Sequence, residues 1–111
     1  MITTYSIVMP CYNAAEHLDF SIGSIKAQTR GDWELLVVDD GSTDTSWDVL
    51  SALASADDRI RIFRQANAGA AAARNRALAE VQGRYIAFLD SDDTWEPDFL
   101  ETMGKALEDH P

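Results

Sequence analysis

Tyr85-Ile86-Ala87-Phe88-Leu89-Asp90-Ser91-Asp92-Asp93 is an apolar run that stops abruptly at three carboxylates, with Thr94, Trp95 and Pro97 behind it. A short run rich in aliphatic and aromatic residues reads as a buried core strand of a parallel sheet. Acids crowded at the end of such a strand repel one another, and left bare they hold their protons more tightly than isolated carboxyls do. A hard divalent cation with oxygen ligands relieves that repulsion and bridges to phosphate oxygens. The stretch therefore points to metal-assisted handling of a phosphorylated ligand.

The theme recurs upstream. Glu34-Leu35-Leu36-Val37-Val38 runs into Asp39-Asp40-Gly41-Ser42, and Tyr5-Ser6-Ile7-Val8-Met9 runs into Pro10-Cys11-Tyr12-Asn13. Open parallel sheets bind ligands at the carboxyl ends of their strands, and here three such ends carry the polar chemistry. Between them lie helical signals. Asn13 with Glu16 has the spacing of a capping box, and Leu18, Ile22 and Ile25 follow at helical intervals. Gly31-Asp32 breaks the chain before the second strand. Ser42 or Thr43 is expected to start the next helix, with Trp47, Leu50 and Leu53 or Ala54 facing inward.

Ile60-Arg61-Ile62-Phe63 predicts a short third strand. Gly69 opens an alanine-rich helix to about Val81, whose run Ala70 to Ala73 suits close packing on a sheet. Gly83 precedes the fourth strand. Pro97 fits the first turn of a last helix, where Phe99, Leu100, Met103 and Leu107 form an apolar stripe. Strand and helix thus alternate through the whole chain, which predicts an α/β layered, Rossmann-like open parallel sheet. Right-handed crossovers narrow the topology, and the order 3-2-1-4 gathers the ends of strands one, two and four around one crevice.

At 111 residues the chain is a single domain with room for one core, and 46% hydrophobic content excludes a disordered one. A net charge of −10 argues against a nucleic-acid backbone as partner. Cys11 is the one cysteine, so no internal disulfide forms, and no histidine stands near it in sequence to activate it. His17 and His110 have no metal-ligand spacing. The N-terminus reads as a strand rather than a signal peptide, and no run approaches membrane-spanning length. A cytoplasmic protein is the expectation, with peripheral attachment to the inner membrane face left open for a longer chain.

These blocks, in this order and spacing, resemble the N-terminal half of a family 2 glycosyltransferase, an inverting nucleotide-sugar enzyme of the GT-A fold. The likeness rests on Ser6 to Asn13, Val37 to Asp44, Asn67-Ala68-Gly69, Ala73-Arg74-Asn75, Gly83 to Ile86 and Leu89 to Asp93. It implies that residues 1–111 are the nucleotide-sugar-binding portion of a longer transferase domain. Asp92 would hold Mn²⁺ or Mg²⁺ against the two phosphates of the donor, with Asp90 assisting the metal or accepting from a ribose hydroxyl. Asp40 would accept from a base N–H, which makes a uridine diphosphate sugar the expected donor, thymidine offering the same group. Asp39 would be a partner in that pocket or a structural acceptor for neighbouring backbone N–H groups. Pro10 and Tyr12 would wall the base pocket, and Tyr12 would stack on the base. Arg74 would reach the base or an acidic site residue. Trp95 would shield the sugar or simply pack, and Asn67 and Gly69 would shape a loop.

The same resemblance implies a carboxylate general base and acceptor contacts in a second half. Asp98, Glu101, Glu108 and Asp109 all fall in the last helix, so no catalytic base is identifiable in this chain. The acceptor (glycan, lipid-linked sugar or protein) stays unassigned. Two alternatives stand beside the transferase. One is a nucleotide-binding or assembly module that needs a partner chain, with self-association through an uncovered sheet edge. The other is a haloacid-dehalogenase-type phosphatase, matching Asp90-Ser91-Asp92-Asp93-Thr94, although that family needs further motifs downstream.

Overall fold

The computed structural model describes residues 3–109. Strands β1 (Tyr5–Cys11), β2 (Trp33–Asp40), β3 (Ile60–Gln65) and β4 (Tyr85–Phe88) alternate with helices α1 (Leu18–Lys26), α2 (Ser46–Ala56), α3 (Ala70–Leu78) and α4 (Phe99–Asp109). The strands pair in parallel in the order β3-β2-β1-β4, as the sequence predicts.

Side chains alternate across the sheet, and each face has its own core. Tyr5, Ile7 and Met9 of β1 and Trp33, Leu35 and Val37 of β2 pack with Leu18, Ile22 and Ile25 of α1, Leu50 of α2 and Leu100 of α4. Val8, Leu36 and Val38 face the other way, onto Ala73 and Ala77 of α3. Alanine at those two positions brings the α3 backbone close to the sheet. Gly104 does the same for α4, because a Cβ there would collide with the Tyr5 hydroxyl.

The fourth strand departs from the expected buried core strand. Ala87 is buried, but Ile86 is 43% and Phe88 51% exposed. The cause is topological: β4 pairs only with β1 and forms the sheet edge, while α3 packs over β1 and β2 and leaves that face of β4 bare. Leu107 likewise sits at the exposed end of its stripe, whereas Phe99, Leu100 and Met103 reach the core.

Two helix starts also differ. Asn13 does not cap α1; a turn at Ala14 to His17 precedes the helix, and Asn13 takes a left-handed φ of 48° with its side chain turned toward a neighbouring loop. Helix α2 begins at Ser46, later than Ser42 or Thr43, because Asp44 accepts from the Ser46 N–H at 2.9 Å. Among the described residues no helix is long and apolar enough to cross a membrane. His110 lies outside them.

Candidate functional site

The site begins where the sheet parts. The Thr4 and Val8 carbonyls accept from Tyr85 and Leu89, so the even-numbered residues of this strand turn their backbone groups toward β4. Pro10 is next on that side, two residues beyond the last paired position, Val8 with Phe88. It has no N–H to donate, so the ladder loses nothing, and β1 and β4 diverge beyond it. A cleft of about 420 Å³ opens there, bordered by Pro10, Tyr12, Asp40, Arg74, Asp90 and Asp92. A second cleft of about 550 Å³ adjoins it, sharing Arg74 and Asp90 and walled by Phe88, Asp93 and Trp95.

Six of the seven residues singled out from the sequence therefore border one cleft, and Asp39 does not. Alternation along β2 turns Asp39 to the α2 side and Asp40 to the α3 side. Asp39 is fully buried, and its Oδ1 accepts from the Ser42 N–H at 3.1 Å. Among the described residues its Oδ2 has no hydrogen-bond partner, and the Arg64 guanidinium at 3.8 Å offsets its charge.

Asp40 is only 3% exposed and accepts from several donors. Oδ1 takes the Gln65 side-chain amide at 2.9 Å and the Ala68 N–H at 2.8 Å. Oδ2 takes the Gly69 N–H at 2.9 Å and a long contact from Asn67 Nδ2 at 3.4 Å. The Gln65 amide foremost, then the Ala68 and Gly69 N–H groups, hold its carboxyl below the usual aspartate range. Asp40 thus ties the end of β2 to the start of α3, the helix that carries Arg74. Gly41 completes the knot: its φ is 75°, and a Cβ would lie 2.8 Å from the Asn67 nitrogen.

Asn13 fixes the other wall. Its Oδ1 accepts from the Thr43 N–H at 2.7 Å and the Asp44 N–H at 3.3 Å, while its own N–H donates to Ser42 Oγ at 2.9 Å. The loop bearing Tyr12 is thereby clamped to the loop after β2. Asn13 has the sequence spacing of a helix cap, and a third strand ending at Phe63, as the sequence predicts, leaves Gln65 outside it. Pairing of Asp40 with Gln65 extends β3 by two residues and brings the amide to the carboxylate.

Asp90, Asp92 and Asp93 form the opposite kind of cluster. All are exposed, and carboxylate oxygens of the three lie within 4.8 Å of one another. An all-oxygen donor set with net negative charge fits a hard cation such as Mg²⁺ or Mn²⁺. Asp93, read in sequence as part of the acidic run but not as a ligand, belongs geometrically to the same set. Arg74 Nη2 lies 3.2 Å from Asp90 Oδ1 and offsets part of the charge. Behind the cluster, Gln28 donates to the Glu96 carbonyl at 2.7 Å and accepts from the Leu100 N–H at 3.0 Å, which anchors the chain leaving the site. Trp95 stacks on Phe99 with centroids 4.3 Å apart and packs on the core while its edge borders the second cleft.

Cys11 borders the first cleft at the end of β1 and is buried. Burial foremost pushes its thiol up to about 11, so it is protonated at neutral pH and no nucleophile.

The glycosyl transferase family 2 model matches residues 6–111. Over 97 residues the chain is 48% identical to UDP-Glc:alpha-D-GlcNAc-diphosphoundecaprenol beta-1,3-glucosyltransferase WfgD of Escherichia coli, covering 86% of this chain and 38% of that protein. It is 45% identical to putative teichuronic acid biosynthesis glycosyltransferase TuaG of Bacillus subtilis, with the same coverage of each. In structure it is similar to S. aureus TarS residues 1–349 in complex with UDP, with a TM-score of 0.89, 24% identity, and coverage of 97% of this chain and 33% of that one. The mannosyltransferase PcManGT of Pyrobaculum calidifontis in complex with GDP-Man and Mn²⁺ shares the fold at a TM-score of 0.82 and 23% identity, covering 97% and 32%. The chain thus spans little more than a third of the length of these curated relatives. Family and fold together displace the phosphatase alternative: the chain belongs to glycosyltransferase family 2, with the GT-A architecture.

Proposed function

We propose that residues 1–111 are the donor-binding part of a metal-dependent transferase that moves a sugar from a nucleotide diphosphate, a uridine diphosphate sugar first, to an acceptor. The observation that carries this reading is one cleft with two chemically distinct ends. At one end a buried, ionised Asp40 stands beside Pro10 and Tyr12; at the other stand Asp90 and Asp92 of the exposed acidic cluster, with Asp93 next to them in the adjoining cleft. A nucleoside diphosphate needs both ends, an acceptor for a base N–H and a counter-charge for its phosphates.

Tyr12, half exposed at the cleft mouth, stacks on the base, and Asp40 accepts its N–H. Asp90, Asp92 and Asp93 would hold the cation, which would supply the positive charge that offsets the departing diphosphate. Arg74 restrains Asp90 and offsets part of its charge. Attack on the sugar requires a base to deprotonate the acceptor hydroxyl. Among the described residues no carboxylate beyond Asp40, Asp90, Asp92 and Asp93 borders either cleft, so this base comes from outside them. The donor sugar would enter the second cleft beside Trp95. A lipid-linked acceptor would bring the protein to the inner membrane face; WfgD is named for such an acceptor and for a UDP-Glc donor.

Calorimetric titration of UDP with and without Mn²⁺, on the wild type and on Asp92→Ala, tests the proposal. Binding that depends on both metal and Asp92 is expected. Nucleotide binding indifferent to both would remove the metal from the account, and no binding in a folded sample would favour an assembly module, for which sizing across protein concentrations shows self-association through β4.

A further inference from the structure

The fold by itself does not choose a base, and the residues around Asp40 carry a choice. An ionised carboxylate offers about four acceptor positions, two on each oxygen. On Asp40 Oδ1 both are taken, by Gln65 Nε2 at 2.9 Å and the Ala68 N–H at 2.8 Å. On Oδ2 the Gly69 N–H at 2.9 Å takes one. The last is held by a long bond from Asn67 Nδ2 at 3.4 Å, the second donor of an amide that also bonds the Asp40 main-chain carbonyl at 3.1 Å. That longest bond is the one a ligand donor can replace at little loss, because Asn67 keeps its bond to the main-chain carbonyl.

Resting on the reading of the cleft as a nucleotide site, we propose that Gln65 is a specificity-determining residue: by filling Asp40 Oδ1 it leaves a single acceptor on Oδ2, which suits a base edge with one ring N–H between carbonyls, uracil or thymine, and rejects guanine. Guanine presents two adjacent donors, the ring N–H and the exocyclic amine, and needs both oxygens of a carboxylate. With Oδ1 occupied, one of those donors enters the site without a partner, and an unpaired buried donor weakens binding by about tenfold or more. Gln65 does this from β3, whose last two residues pair with Asp39 and Asp40, so its amide is positioned by the sheet rather than by a mobile loop.

The experiment compares UDP and GDP by calorimetry with Mn²⁺ present, on the wild type and on Gln65→Ala. Expected is a wild-type preference for UDP of about tenfold or more, reduced to near parity in the variant through a gain for GDP as well as any loss for UDP. A thermal melt confirms that the variant is folded. A second measurement needs no variant: UDP methylated at uracil N3 loses the one donor and binds the wild type about tenfold or more weakly than UDP. Equal wild-type affinity for UDP and GDP, indifference to N3 methylation, or a preference unchanged by Gln65→Ala overturns the assignment to Gln65. Failure of the wild type to bind either nucleotide overturns the nucleotide-site reading itself, and the two failures are distinct.

Discussion

Two strands end in acidic runs, and the structure uses them in opposite ways. After β2, Asp39 and Asp40 are buried, and both oxygens of Asp40 and Oδ1 of Asp39 serve the protein's own N–H groups. After β4, Asp90, Asp92 and Asp93 are exposed, with Arg74 the only cation paired to them among the described residues. The chemistry of the residues is the same; position in the sheet separates them. β2 lies between β1 and β3, so its end is enclosed by loops that supply donors. β4 is the edge, so its end projects into solvent and keeps its oxygens free. Carboxylates spent on backbone donors hold shape and leave little for a ligand, whereas unspent ones are available to a cation.

If that contrast holds, mutation should separate stability from binding. The largest effect on folding is expected from Asp40→Ala, which strands the Gln65 amide and the Ala68 and Gly69 N–H groups. A loss of about 3 kcal/mol, with a fall in Tm of about 12 °C or more, should appear in urea and thermal melts. Asp92→Ala should leave the melt within about 0.5 kcal/mol of wild type while weakening Mn²⁺-dependent nucleotide binding about thirtyfold, near 2 kcal/mol. If Asp92→Ala unfolds the protein and Asp40→Ala does not, the contrast is reversed and the account fails.

Asn13→Ala sharpens the picture at the other wall. It removes the acceptor of the Thr43 and Asp44 N–H groups, and a loss of about 1 kcal/mol is expected by urea melt. Asn13→Gly should recover the part due to the left-handed backbone and not the hydrogen bonds. Acid provides a further separation. The folded-state carboxyl of Asp40 titrates below its unfolded value, so its stabilisation is complete above pH about 4 and fades as pH falls through the folded pKa. Urea midpoints should therefore be level from neutral pH to about 5 and decline below 4, less steeply in Gln65→Ala, which removes the foremost cause of the shift. The smallest effect is expected from Arg74→Ala: its exposed ion pair should contribute no more than about 0.5 kcal/mol to a melt.

The layout of the fold was legible in sequence because each strand and helix carries its own periodicity, and alternation with the right-handed rule leaves few orders. Pro10, Tyr12, Asp40, Arg74, Asp90 and Asp92 were legible as a group because parallel sheets collect their chemistry at strand ends. What escaped were pairings over long sequence separation. Asn13 looks like a helix cap because its nearest neighbours allow it, yet its oxygen is claimed by Thr43 and Asp44, some thirty residues on. Gln65 looks like loop until its register with Asp40 is known. The apolar run Tyr85 to Leu89 looks buried on both faces because composition does not distinguish an edge strand from a central one. Asp39 and Asp40 are adjacent and identical, and only the alternation of the strand sends one to each face.

On this reading base and metal occupy opposite ends of one cleft. Diffraction from crystals grown with UDP and Mn²⁺, collected at the manganese edge, tests it most directly. An anomalous peak is expected among the carboxylates of Asp90, Asp92 and Asp93, with the uracil ring against Tyr12 and its N3 at hydrogen-bond distance from Asp40 Oδ2. A manganese peak away from those carboxylates, or a base seated on the Asp39 face of the sheet, would contradict it.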